Sequence, residues 1–173
     1  MLTHHLQLSP KTVSDIVQYL DEHIAPVLGH DVSNYALGRR RSWLQYEAPL
    51  SPYRQWKPGL RDQRIWNFLV KTCAKFNFVP DVGLVTREGQ IDTHRDARYA
   101  SPLAVGVNLG PVTFHYGEHA LDFKGGEVFT FNSKVPHATS NVSPNRWAFN
   151  LWTVSRHEMD RYLRIQEEYP LEA

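Results

Sequence analysis

The chain has 173 residues, of which 42% are hydrophobic and 12% aromatic, and its nineteen basic and eighteen acidic residues leave a formal charge of +1. That length suits one globular domain with a substantial core, and the near-neutral balance gives no global field for a nucleic acid or an anionic membrane. The single Cys73 excludes an intramolecular disulfide and a cysteine-based zinc site. No apolar run reaches the length of a signal segment or a membrane span, so a cytoplasmic protein without a membrane partner is expected.

The first predicted element is a helix. Ser9-Pro10 supplies an N-cap followed by proline at the first helical position; Val13, Ile16, Val17, Leu20 and Ile24 follow at helical spacing, and Gly29 can end it. His4 and His5 before it fall in a terminus expected to fray. Residues 39–60 combine Arg39, Arg40 and Arg41 with prolines and aromatics and show no steady period. They read as an ordered loop or an irregular β excursion, either packed on the core or offering Trp43, Tyr46, Tyr53 and Trp56 beside the arginines as a contact surface for a polyanion or a flipped base. A second helix is predicted over 61–76, with Ile65, Phe68, Leu69, Thr72, Cys73 and Phe76 on one face.

After Pro80 the pattern becomes β. VGLVT, SPLAVGVNLG, VTFHY, HALDF, EVFTF and WAFNLWTV are strand-like and are separated by turn compositions, with Gly117-Glu118 a tight hairpin flanked by His115 and His119 as hairpin residues. Short strands at this spacing predict an antiparallel barrel or jelly roll over 81–155, placed after helical support over 1–80 and before a charged helix within 156–173. The expected class is therefore mainly β with flanking helices, in a single domain.

Within that β region stands His94-Arg95-Asp96. Nine His and nine Asp in 173 residues give about 0.5 His-x-Asp pairs by chance, so alone it carries little. On an extended segment, however, the two side chains share a side, and His137, after the apolar EVFTF strand, can complete a set of two histidines and one carboxylate. Such a triad leaves coordination positions open and suits non-haem Fe(II), while the ligand types also admit zinc. Arg146 opens the last strand, whose alternation puts Arg146, Ala148, Asn150 and Trp152 on one face and Trp147, Phe149 and Leu151 on the other. An inward arginine needs an anion: a dicarboxylate cosubstrate, or a core carboxylate such as Asp122 or Glu127.

The order His94-x-Asp96, His137, Arg146 resembles the Fe(II)/2-oxoglutarate-dependent oxygenases over residues 81–154, and the runs PLAVGVNLGPVTFHYG and LDFKGGEVFTFNSKVPH look most like the AlkB-like branch. The resemblance implies a double-stranded β-helix in which His94, Asp96 and His137 hold Fe(II). Arg146 would grip the distant carboxylate of 2-oxoglutarate, with Asn150, Thr86 and Asn108 as polar lining. It also implies O2 as co-reactant, succinate as coproduct, and hydroxylation or oxidative demethylation of a substrate. Where the AlkB pattern has a second arginine six positions after the first, this chain has Trp152. Where that pattern has an asparagine and a tyrosine holding 2-oxoglutarate, it has Leu84 and Thr86. Arg98, Tyr99 and Trp152 are the expected substrate contacts. The substrate itself, whether small molecule, peptide or nucleic acid, is not fixed, nor is the oligomeric state. A cupin-like isomerase or hydrolase, or a metal-binding module that ignores 2-oxoglutarate, is the alternative.

Overall fold

The computed structural model describes residues 1–171. β1 (Thr3–Gln7) precedes α1 (Pro10–His23), where the Ser9 hydroxyl accepts from Thr12 N at 3.1 Å. A 3-10 turn at Ala25–Val27 leads into β2 (Gly29–His30), β3 (Ala36–Leu37), β4 (Arg40–Leu44), β5 (Tyr46–Glu47) and β6 (Lys57–Pro58). α2 (Gln63–Ala74) is capped by Asp62, whose carboxylate accepts from Ile65 N at 2.9 Å. Then come β7 (Val82–Arg87), β8 (Gln90–His94), β9 (Ala100–Asn108), β10 (Val112–Tyr116), β11 (His119–Phe123), β12 (Glu127–Asn132), β13 (His137–Ser140), β14 (Trp147–Val154) and α3 (Met159–Glu168).

The strands form a seven-stranded major sheet in the order β1-β12-β9-β14-β7-β4-β2 and a five-stranded minor sheet in the order β11-β10-β13-β8-β3. The two face each other without closing into a barrel, and the architecture is a double-stranded β-helix. Alternation along β14 sorts the major sheet's two faces. Trp147, Phe149 and Leu151 pack with Leu20, Ile24, Ile65 and Leu69 from α1 and α2, while Trp152 joins Trp43, Tyr99, Phe114, Phe129 and Phe131 between the sheets. Gly106 on β9 permits this inner packing, because a Cβ there would lie 2.4 Å from the Phe129 ring.

One expectation for the first 80 residues needs correction. The terminus is not frayed: β1 pairs with β12 and forms the edge of the major sheet, His5 Nε2 hydrogen-bonds the Thr130 hydroxyl at 2.8 Å, and the His5 ring stacks on Phe76. Of the two readings of 39–60, the irregular β excursion is the one that forms. β4 extends the major sheet beside β7, with Arg41 opposite Thr86 and Trp43 opposite Leu84. The support is therefore part sheet, because Arg39, Arg41 and Trp43 follow a two-residue period that the intervening Arg40 and Ser42 hide. The charged C-terminal segment is also more than a surface helix, since Tyr162 and Ile165 of α3 are buried. Cys73 is a buried residue on the core face of α2, and burial pushes its thiol up to about 12.

Candidate active site

β8 and β13 pair with His94 opposite His137, and the chain leaves β8 so that Asp96 N donates to Ser133 O. One ligand atom from each of His94, Asp96 and His137 lies within 4.8 Å of the others. The Nε2 atoms of His94 and His137 stand 3.5 and 3.4 Å from the same Asp96 Oδ1. Each ring is fixed from behind: Nδ1 of His94 donates to Asp92 O and Nδ1 of His137 to Val135 O, both at 2.8 Å. A carbonyl only accepts, so in the neutral rings the Nε2 lone pairs point at a carboxylate. Three acceptors converging on one point require positive charge between them, and a divalent cation fits this donor set.

The surroundings hold Asp96 in place. The Trp152 indole Nε1–H donates to Asp96 Oδ2 at 2.8 Å, and the Lys134 ammonium donates to the carbonyls of Asp96 and Ala97 at 3.0 and 2.9 Å. Burial by itself would raise the Asp96 carboxyl. With the rings protonated, Nε2–H donation from His137 and His94, the His137 charge and the Trp152 N–H outweigh it and hold the acid well below the usual carboxylate range. Tyr35, in the loop between β2 and β3, stacks on the His94 ring with centroids 5.6 Å apart.

The triad opens on a cavity of about 450 Å³ between the sheets. Its opposite wall is the inner face of the major sheet, where register places Arg41, Thr86, Ala148 and Asn108 in one row and Trp43, Leu84, Asn150, Gly106 and Phe129 in the next. Arg146 lies just ahead of β14. Its Nε donates to Asn108 Oδ1 at 2.7 Å, and the Asn108 amide in turn donates to Glu127 Oε2 at 2.8 Å. Burial, then the neighbouring Arg39 charge, push the guanidinium down to about 10, which leaves it cationic at neutral pH. Among the described residues Arg146 makes no ion pair with Asp122 or Glu127 within 4.0 Å, and its Nη groups have no acceptor. Asp122 accepts from Thr113 instead, at 2.7 Å.

The cavity gathers most of the residues singled out by sequence: the triad, Arg146, Thr86, Asn108, Asn150, Tyr99 and Trp152 all line it. Thr86 directs its hydroxyl toward Ala148 O at 3.5 Å, at the edge of hydrogen-bonding range. Trp152 is tied to Asp96 through its indole N–H. Arg98 lies outside the cavity lining: its side chain is 57% exposed and its Nε sits 3.6 Å from Glu158. His115 is a hairpin residue, bonded to the Ser140 hydroxyl at 2.7 Å. Sequence reasoning missed Asp31, Tyr35, Arg54 and Arg95, which all stand in or beside the cavity wall, and misread Arg39 and Arg41, which face it. The supposed aromatic surface over 43–56 also dissolves, because Trp43, Tyr46 and Trp56 are buried and Tyr53 alone of the four is exposed.

No family model and no curated protein matches the sequence. Solved structures do match in fold, and they define the class of architecture: the double-stranded β-helix that the strand pattern implied. OsALKBH1 superposes with a TM-score of 0.62 at 14% identity, covering 88% of this chain and 100% of its own. A Pseudomonas putida prolyl-4-hydroxylase gives 0.61 at 12% identity, with 90% and 92% covered. A Trichoplax adhaerens prolyl hydroxylase, solved with a hypoxia inducible factor peptide fragment, gives 0.60 at 15% identity, with 94% and 86% covered. The likeness is thus shared evenly between an AlkB homologue and prolyl hydroxylases. No helix among the described residues is long and apolar enough to cross a membrane.

Proposed function

We propose that this chain is a non-haem Fe(II)/2-oxoglutarate-dependent dioxygenase that couples oxidative decarboxylation of the cosubstrate to hydroxylation or oxidative demethylation of a second substrate. One observation carries the reading: three acceptors that call for a divalent cation and a buried guanidinium that calls for a carboxylate line the same cavity. When bound, iron and 2-oxoglutarate supply the O2 activation and the two-electron oxidation of substrate.

The chain's own residues do the rest. His94, Asp96 and His137 present one face of ligand atoms and leave the other open, and Trp152 and Lys134 hold Asp96 at its angle. Arg146 orients a carboxylate, steadied by Asn108 so that its donors point into the cavity. Phe114, Phe129 and Phe131 on the apolar side exclude water. The cavity volume suits a small molecule or a single side chain of a larger substrate, entering past Tyr35, Arg54 and Arg95.

Anaerobic addition of Fe(II) and then 2-oxoglutarate to metal-free protein tests this. A weak visible charge-transfer band is expected, and it should fade in Arg146→Ala. Metal binding without any band sinks the oxygenase reading in favour of a metalloenzyme that does not use 2-oxoglutarate.

A further inference from the structure

The arginine end of the cavity holds more positive charge than one carboxylate-binding arginine explains. Arg39 stands just before β4 and Arg41 within it, on the same inner face, and both side chains are about nine-tenths buried. Asp31, with a fully buried side chain, lies between them: its Oδ2 takes both Nε and Nη2 of Arg39 at 2.6 Å, and its Oδ1 stands 3.2 Å from Arg41 Nε. Arg39 therefore spends one edge of its fork on a single carboxylate oxygen, and its other N–H groups have no acceptor among the described residues. The remaining N–H groups of Arg41 are likewise without one, while its guanidinium lies over the Trp43 ring at 5.9 Å.

Arg39 and Arg146 approach from opposite sides of β7. They are near enough for the Arg39 charge to make the Arg146 cation harder to hold. Three guanidinium groups here meet two carboxylates, Asp31 and Glu127, so this end of the cavity keeps a net positive charge facing the open space. Buried like charges facing one space are costly unless an anion sits between them. A purely structural ion pair would need one arginine for Asp31, and would gain nothing from aiming a second and a third into the same cavity.

We propose that Arg39, oriented by Asp31, forms with Arg146 a two-sided clamp on the distal carboxylate of the dicarboxylate cosubstrate, with Arg41 screening its outer edge. This rests on the oxygenase reading, and it places a donor beside Arg146 on the side of β7 where Leu84 has no hydrogen-bonding group. Arg39 is in this arrangement a binding residue for the cosubstrate. Its partner Asp31 never contacts the ligand and acts by fixing the fork, which limits the entropy lost when the carboxylate binds.

The test compares two probes on the anaerobic Fe(II)-loaded protein, read by the charge-transfer band and by quenching of tryptophan fluorescence: 2-oxoglutarate, and 2-oxopentanoate, which keeps the chelating end and lacks the distal carboxylate. In the wild type 2-oxoglutarate should bind at least a hundredfold more tightly. Arg39→Gln should weaken 2-oxoglutarate about tenfold, or about 1.4 kcal/mol, and leave 2-oxopentanoate and Fe(II) affinities within about twofold. Arg39→Lys, which keeps the charge and Asp31's partner, should fall between. If Arg39→Gln leaves the preference for 2-oxoglutarate intact while Arg146→Ala removes it, the clamp is wrong and the oxygenase reading stands. Equal loss of both probes in Arg39→Gln marks a structural role and also overturns the clamp. No band in the wild type with either probe overturns the clamp and the reading together.

Discussion

At one end of the cavity, acceptors face one another: two imidazole lone pairs and a carboxylate with nothing cationic between them but what they can recruit. At the other end, donors face one another, with Arg39, Arg41 and Arg146 only partly answered by Asp31 and Asn108. The two ends also differ in construction. The triad comes from the minor sheet and one short loop, each ring fixed by a carbonyl two residues away. The arginine end joins the β2–β3 loop, β4, β9 and the approach to β14, so its order depends on the whole major sheet. A ligand that is cationic at one end and anionic at the other, a metal ion chelated by a dicarboxylate, satisfies both at once. Substitutions should therefore separate the ends cleanly: changes at the triad should act on metal affinity, and changes at the arginines on the anion.

The largest effect is expected for His137→Ala. Removing one of three ligands should abolish stoichiometric Fe(II) or Co(II) binding in a calorimetric titration and take all turnover with it. Retained metal at wild-type affinity would mean that the cation sits elsewhere. Next comes Trp152→Phe, which keeps the ring packed against Trp43 and Tyr99 but deletes the N–H that holds Asp96 Oδ2. Loss of an outer hydrogen bond to a metal ligand typically costs about 10- to 100-fold in affinity, and that drop should appear for the metal before any is seen for 2-oxoglutarate. A larger effect on the anion than on the metal would break the division between the two ends.

The same division explains what the sequence made legible. His94, Asp96 and His137 could be read because their spacing and their place after strand-like runs are local facts, and Arg146 because β14 alternates strictly. The helices and the hairpin at Gly117 were also local, and the structure has them within a few residues of their expected bounds. Arg39, Arg41 and Asp31 were not legible in this way. Three consecutive arginines resemble a solvated run, and only pairing of β4 with β7 shows that every second one faces inward. The role of Trp152 was hidden for a related reason, since its hydrogen bond to Asp96 spans 56 residues of sequence. Arg98 follows the His94–Asp96 loop in sequence, but its side chain is exposed beside Glu158 and outside the cavity lining, which its sequence position did not reveal.

At the arginine end, Asn108→Ala should act on stability before function. Asn108 is almost fully buried and links Arg146 Nε to Glu127, so truncation leaves a donor and an acceptor without partners. Glu127 keeps the backbone N–H groups of Lys124 and Gly125, which limits the damage. A loss of about 1–3 kcal/mol in denaturant unfolding is expected, together with weaker 2-oxoglutarate binding and unchanged metal affinity. A loss of metal binding of the same size would show that the two ends are mechanically coupled through β9.

The smallest effect belongs to Arg98→Ala, and its smallness is informative. Arg98 is exposed, and the nearly buried Glu158 it approaches already accepts from Trp56 Nε1 at 3.1 Å and from Arg161 at 3.0 Å. Removing Arg98 thus strands no charge. A solvent-screened pair of this kind is worth about 0–1 kcal/mol, so the unfolding midpoint should barely move, and metal and 2-oxoglutarate affinities should match the wild type. With any substrate that is turned over, kcat/KM should also hold within about twofold. A fall in kcat/KM with both affinities intact would place Arg98 on the substrate's path after all, through a part of the substrate that stays outside the cavity and reaches along the surface toward α3.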